Sequence, residues 1–143
     1  MVGLGLCYNY LMRIKYFTLS REEVFSAAHS LGSGGAGDFG PCSALHGHDY
    51  RLKVTVTGPF DEERGVLLDA VELKQIMREA VVGKVERRNL NEVPFLRGKV
   101  TSMENLAWAF ALELEKPLAE KGVKLFSIEL AETEHNSVKL YLE

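Results

Sequence analysis

Hydrophobic and polar residues alternate along several stretches of this chain, and in two others the apolar residues recur at helical spacing. From Arg13, Ile14, Tyr16 and Thr18 interleave with Lys15, Phe17 and Leu19, and Phe25, Ala27 and His29 recur at every second position. Period two predicts a strand, because successive side chains leave opposite faces of an extended backbone. Between Leu31 and Gly40 five of ten residues are glycine, and such a run makes a loop. A second strand is predicted over 48–58, with Tyr50, Leu52, Val54 and Val56 on one face and Asp49, Arg51, Lys53, Thr55 and Thr57 on the other. Pro59 and 61–65 follow as a turn.

Asp69, with Glu72 three residues on, suits the cap of a helix whose Leu73, Ile76, Met77, Ala80 and Val81 share a face. The stretch 83–100 reads as a mostly polar connection containing Pro94 and Gly98. Thr101 and Glu104 have the spacing of a capping box opening a second helix through Leu106, Ala107, Phe110 and Leu114, ended by Pro117 and Gly122. Two further strands are predicted: 124–132, with Phe126, Ile128 and Leu130 together, and 137–142, with Val138, Leu140 and Leu142 together. Polar Glu134, His135 and Asn136 form the turn between them. The order ββααββ, without repeat or linker, predicts one α+β domain over 13–143.

Composition narrows the function. The 143 residues are close to one domain's worth, and 17 Lys+Arg against 20 Asp+Glu leave a net charge of −3. A nucleic-acid binder driven by electrostatics would show a basic excess, so no nucleic-acid partner is expected. No segment approaches the roughly 18 apolar residues of a membrane span. The first twelve residues carry no charge, and Arg13 and Lys15 come too late for a secretory n-region. Residues 1–12 are therefore expected to be a flexible extension, with Met12 an alternative start. Cys7 and Cys42 make no disulfide framework, which suggests a reducing, cytoplasmic setting.

Three of the four histidines fall within 26–49. His46 and His48 share the face that continues as Tyr50, Leu52 and Val54, while His29 is in phase with Phe25 and Ala27. If the two strands pair around the glycine loop, the three imidazoles meet at one end of the sheet. Three neutral imidazoles with an open fourth position make a catalytic zinc site. A single histidine on an apolar face is more often a hydrogen-bonded core residue; three together favour metal. Cys42 has two readings. It is a fourth ligand, closing a structural site of one thiolate and three imidazoles, or a nucleophile or base beside an open one. Glu132 ends an apolar stripe, either reaching solvent or accepting the N–H donors of a heterocycle.

Together, Phe25-Ser-Ala-Ala-His29, Cys42-Ser-Ala-Leu-His46-Gly-His48, Thr101-Ser-Met-Glu-Asn105 and Ala131-Glu-Thr133 resemble the 6-pyruvoyltetrahydropterin synthase / 6-carboxytetrahydropterin synthase family over Arg13 to Glu143. The resemblance implies the tunnelling fold, an antiparallel sheet with two helices on one face, assembling into an intersubunit β-barrel in trimers or hexamers. It implies zinc on His29, His46 and His48, Cys42 as catalytic thiolate, and Glu132 as the pterin anchor, with Thr133 and Glu104 nearby. The implied substrate is 7,8-dihydroneopterin triphosphate. The implied product is 6-carboxytetrahydropterin, towards queuosine-type deazapurines, or 6-pyruvoyltetrahydropterin, the interval between His29 and His46 favouring the carboxy branch.

One segment departs from the family. Where members carry Leu-Asp-His, this chain has Val85-Glu86-Arg87. Glu86 could stand for the aspartate, but Arg87 cannot serve as a base because its pKa exceeds ~12. Three readings follow: Arg87 binds the triphosphate while Cys42 and Glu86 share the proton work; His135 replaces the lost imidazole; or the protein keeps the zinc and pterin pocket with altered or lost catalysis. A protein with a structural zinc held by the cysteine and the three histidines is the remaining rival.

Overall fold

The strands form because their alternating side chains separate a dry face from a wet one. In the computed structural model, residues 16–32 and 39–143 are described. Four strands, β1 (Phe17–His29), β2 (His46–Gly58), β3 (Lys124–Ala131) and β4 (Ser137–Tyr141), make an antiparallel sheet in the order β1-β2-β3-β4. The expected start of the first strand at 13–15, the extension 1–12 and the middle of the glycine-rich loop lie outside the described residues. The second strand begins at His46, two residues earlier than expected, because His46 pairs directly with His29 across the hairpin.

Two helices cover one face of the sheet, α1 (Ala70–Met77) and α2 (Met103–Glu120). Tyr50, Leu52, Val54 and Val56 are fully buried there with Leu73, Met77, Leu106, Phe110 and Leu114. Burying side chains of this size contributes about 1.5–3 kcal/mol each. Part of the opposite face is polar, with Glu22, Arg51, Lys53 and Glu129 lining a cavity.

The first helix does not stop before Gly83. It continues through a π-turn over Arg78–Val82 and a last helical stretch, Gly83–Val85. The Gly83 N–H donates to the Arg78 carbonyl, and a Cβ on Gly83 would lie 2.8 Å from that oxygen. The extra residue in the turn shifts the apolar stripe, so Val82 and Val85 are buried with Val81 while Ala80 is only half-buried. The polar connection that follows is pinned by buried Leu90, Val93 and Leu96.

Caps and ends also differ from expectation. Asp69 accepts from the Val71 N–H at 2.8 Å, as a cap should, but Glu72 pairs with Lys121 at 3.0 Å instead of completing a box. The cap of α2 is Ser102, whose hydroxyl accepts from the Asn105 N–H at 3.3 Å, whereas Thr101 is buried. Pro117 lies inside α2 and does not end it. The end comes at Gly122, at φ 77°, where the Gly122 and Val123 N–H groups return to the Ala119 and Leu118 carbonyls. In β3 a bulge opposite Thr55 and Val56 breaks the alternation. Leu125 is therefore buried opposite Val56, and Phe126 sits half-buried against Tyr16 and Tyr141.

Candidate metal and active site

The hairpin register assembles the histidines. His29 faces His46, and Ala27 faces His48, so three imidazoles project from the same end of β1 and β2. Their ring centroids are 4.6, 5.2 and 4.8 Å apart. One nitrogen from each ring lies within 4.8 Å of the others. Ligands at ~2.0–2.1 Å from one zinc sit somewhat closer than that, so a shared ion would draw the rings together.

The hydrogen bonds behind the rings fix which nitrogen faces the centre. His29 Nδ1 donates to the Thr101 carbonyl oxygen at 2.9 Å, and His46 Nδ1 donates to the Ala44 carbonyl at 2.7 Å. A carbonyl only accepts, so each Nδ1 carries its proton and each Nε2 presents a lone pair. The Nε2 atoms of His29 and His48 are buried without a hydrogen-bond partner. Burial lowers the His29 pKa below its ordinary value, with the neighbouring His46 and His48 adding to the effect while the Thr101 carbonyl and Glu132 oppose it. His29, held from behind by Thr101 and unpaired in front, with ring nitrogens of His46 and His48 gathered beside it, fits a zinc ion.

Glu132 follows the end of β3 and swings to this cluster. Its carboxylate oxygen is 4.0 Å from His29 Nε2 and 3.8 Å from His48 Nε2, beyond hydrogen-bond reach but close enough to bias the site's charge. Only about a fifth of the Glu132 side chain is exposed. The next residue, Thr133, uses its hydroxyl to accept the His135 and Asn136 N–H groups, which shapes the turn. His135 lies on the polar face, in the cavity with Arg51 and Lys53, and is not brought to the histidine cluster within the chain.

Cys42 occupies a short 3-10 turn, Gly40–Ser43, and is exposed. Its carbonyl accepts the Leu31 N–H at 2.8 Å, tying the far side of the glycine-rich loop to the end of β1. The Cys42 thiol is not among the atoms gathered by the three imidazoles. Glu104 stands exposed in the first turn of α2.

The Glu86–Arg87 segment packs beside the outer edge of β1. The Arg87 N–H donates to the Ser26 carbonyl at 2.7 Å, and the Ala28 N–H donates to the Arg88 carbonyl at 2.9 Å. Arg87 has φ 58°, the left-handed region that side-chain-bearing residues seldom enter. The Glu86 carboxylate faces Arg78 at 3.5 Å, and Arg78 also pairs with Glu23 at 3.1 Å.

Sequence reasoning misses Asn91. Its amide accepts the Ser30 N–H at 2.9 Å and donates to the Ser30 carbonyl at 3.1 Å, clamping the residue after His29 as a neighbouring strand would. Thr101 reads as a cap alone, whereas its carbonyl orients His29 and its hydroxyl donates to Ser30 at 3.3 Å. No spacing rule signals either contact, since each partner lies more than sixty residues away.

Comparison with known proteins points to one family. A family model described as 6-pyruvoyl tetrahydropterin synthase matches residues 18–143. The Dictyostelium discoideum 6-pyruvoyl tetrahydrobiopterin synthase is 37% identical over 127 residues, spanning 84% of this chain and 92% of that protein. A Haemophilus influenzae 6-carboxy-5,6,7,8-tetrahydropterin synthase is 30% identical over 73 residues, 49% of each chain. Among solved structures, the Caenorhabditis elegans 6-pyruvoyl tetrahydropterin synthase superposes with a TM-score of 0.81 at 30% identity, over 93% of this chain and all of that one. Fold, strand-end histidines and shared sequence lead to one conclusion: this chain belongs to the 6-pyruvoyl tetrahydropterin synthase family, a family of lyases.

Proposed function

We propose that this protein is a zinc-dependent lyase that eliminates triphosphate from 7,8-dihydroneopterin triphosphate and forms 6-pyruvoyltetrahydropterin. The observation that carries this reading is the trio of inward-facing imidazole nitrogens, two of them buried without partners, with the Glu132 carboxylate beside them. Zinc held by His29, His46 and His48 would supply Lewis acidity that makes the substrate's side-chain hydroxyls more acidic. Glu132 accepts the ring N–H donors of the pterin and so fixes its orientation. Cys42, as a thiolate, takes the proton released from the substrate's side chain at Sγ.

Arg87 stands where the family carries histidine, and a guanidinium cannot take that proton. Cys42 and Glu86 therefore share the proton work, and Thr133 and Glu104 contribute to pterin binding. The pyruvoyl product follows the names of relatives that match most of the chain. The short interval between His29 and His46 favours a second reading, 6-carboxytetrahydropterin with loss of acetaldehyde, serving deazapurine synthesis. β1 and β4 stand at the two ends of the sheet, which suits strand pairing between subunits of a trimer or hexamer.

The test is incubation of zinc-loaded protein with dihydroneopterin triphosphate, with products identified by mass spectrometry. Release of triphosphate together with the pyruvoyl compound is expected; the carboxy compound would select the second reading. Intact substrate after many enzyme equivalents would overturn both and leave a pterin-binding homologue.

A further inference from the structure

We propose that Arg87 and Arg88 form an oligophosphate-binding site on the turn that docks against the edge of β1. The two guanidinium-bearing residues line two adjoining openings of about 790 and 470 Å³, which also share Asn89. Neither arginine side chain has an acidic partner among the described residues, whereas nearby Arg21 and Arg78 are both engaged by Glu23. Of the other charges on these walls, Lys84 is paired with Glu113 at 2.7 Å, and Asp49 accepts a hydrogen bond from Ser26. Glu92 is the acidic group in the larger opening and pairs with neither arginine. Two adjacent cations therefore line openings whose carboxylates, Asp49 and Glu92, form an ion pair with neither of them.

The backbone holds them there. Hydrogen bonds from Arg87 to Ser26 and from Ala28 to Arg88 lock both residues to the strand, and Arg87 is kept at φ 58°. An unfavourable conformation over-determined by its surroundings is common where side-chain placement serves a ligand. A guanidinium fork matches phosphate oxygens in a bidentate way, and two neighbouring forks suit a multiply charged linear anion better than a single phosphate. The smaller opening is also lined by Gly47 and His48, so the arginine pair and the histidine hairpin share a wall. Naming the anion as the triphosphate of the substrate rests on the lyase reading above; the site itself does not.

The probe is inorganic triphosphate, titrated calorimetrically into the full chain both as purified and after dialysis against chelator, so that capture by metal is separable. Wild-type protein should bind it more tightly than inorganic phosphate, with affinity falling as salt rises. Arg87→Gln and Arg88→Gln should each weaken binding about tenfold, in line with the loss of a charged hydrogen-bonding partner. Arg→Lys at each position should weaken it less, since charge remains while the fork is lost, and thermal melts report whether each variant is folded. Binding within twofold of wild type in the folded double Gln variant would overturn the site. So would binding of phosphate as tight as that of triphosphate, or binding that vanishes on chelation. Turnover plays no part in this readout: a chain that binds triphosphate but converts no pterin overturns only the lyase reading, and the converse result overturns only the arginine site.

Discussion

The ring of His29 is oriented by the main chain of Thr101, 72 residues later, whose carbonyl oxygen lies 2.9 Å from Nδ1. Asn91 holds the adjacent Ser30 backbone from a second segment. The histidine trio is therefore a local hairpin product kept in aim by distant supports. Asn91→Ala should lower zinc affinity by about tenfold, the scale of losing a group that orients a metal ligand from behind. Competition with a chromogenic chelator measures this. Affinity equal to wild type would show that β1 keeps His29 in place unaided.

His29 also sets a pH dependence in the metal-free protein. Burial holds its folded-state pKa below 6.5, so the unfolded chain takes up a proton at a pH where the folded chain resists it. Stability from this residue is present above 6.5 and declines as the pH falls from there towards the folded-state value. The melting temperature of chelated protein should drop between pH 7.5 and 5.5 (roughly one unit either side of the free-histidine pKa), and His29→Gln should drop less. Equal slopes for the two would sink the assignment.

Gly83 is the residue on which the π-turn depends. Adding a methyl group would place it 2.8 Å from the Arg78 carbonyl, a backbone atom that cannot swing aside. Gly83→Ala should cost about 1–3 kcal/mol, the range for overpacking, even though alanine is the better helix former. Urea denaturation gives the answer, and a stabilised variant would contradict the close approach.

The true cap of α2 can be separated from the apparent one. Ser102→Ala should cost about 1 kcal/mol, and Glu104→Ala only a few tenths. Equal losses in chemical denaturation would restore the Thr101–Glu104 capping box.

Arg87 offers a gain-of-function test of the proposed lyase. Arg87→His reinstates an imidazole that can exchange protons near neutrality, worth about 10²-fold at the lower end for general acid–base work. Steady-state kinetics should show kcat rising, with KM rising as well if the guanidinium holds the triphosphate. An unchanged kcat would mean that the missing imidazole does not limit turnover.

Much of the architecture was legible because period-two and helical patterns are local. Tyr50, Leu52, Val54 and Val56 announce the buried face of β2, and all are fully buried. The errors fall where a non-local contact outweighs a local signal. Pro117 reads as a stop but is carried inside a helix whose Leu114 and Leu118 are buried on either side of it. Phe126 reads as core, yet the bulge across from Thr55 and Val56 hands the buried position to Leu125.

What the sequence determined by itself is the phase of the chemistry. Alternation puts His46 and His48 on one face, puts His29 in step with Phe25 and Ala27, and leaves a glycine-rich span long enough to fold one strand back on the other. Tertiary structure alone decided the rest: the register that sets His29 opposite His46, the approach of Glu132 from the other end of the chain, and the placement of Cys42 on an exposed turn. The physical reason is one of range. Side-chain direction follows from neighbouring backbone dihedrals, whereas the meeting of β3's end with the hairpin depends on how a whole sheet and two helices share one buried core.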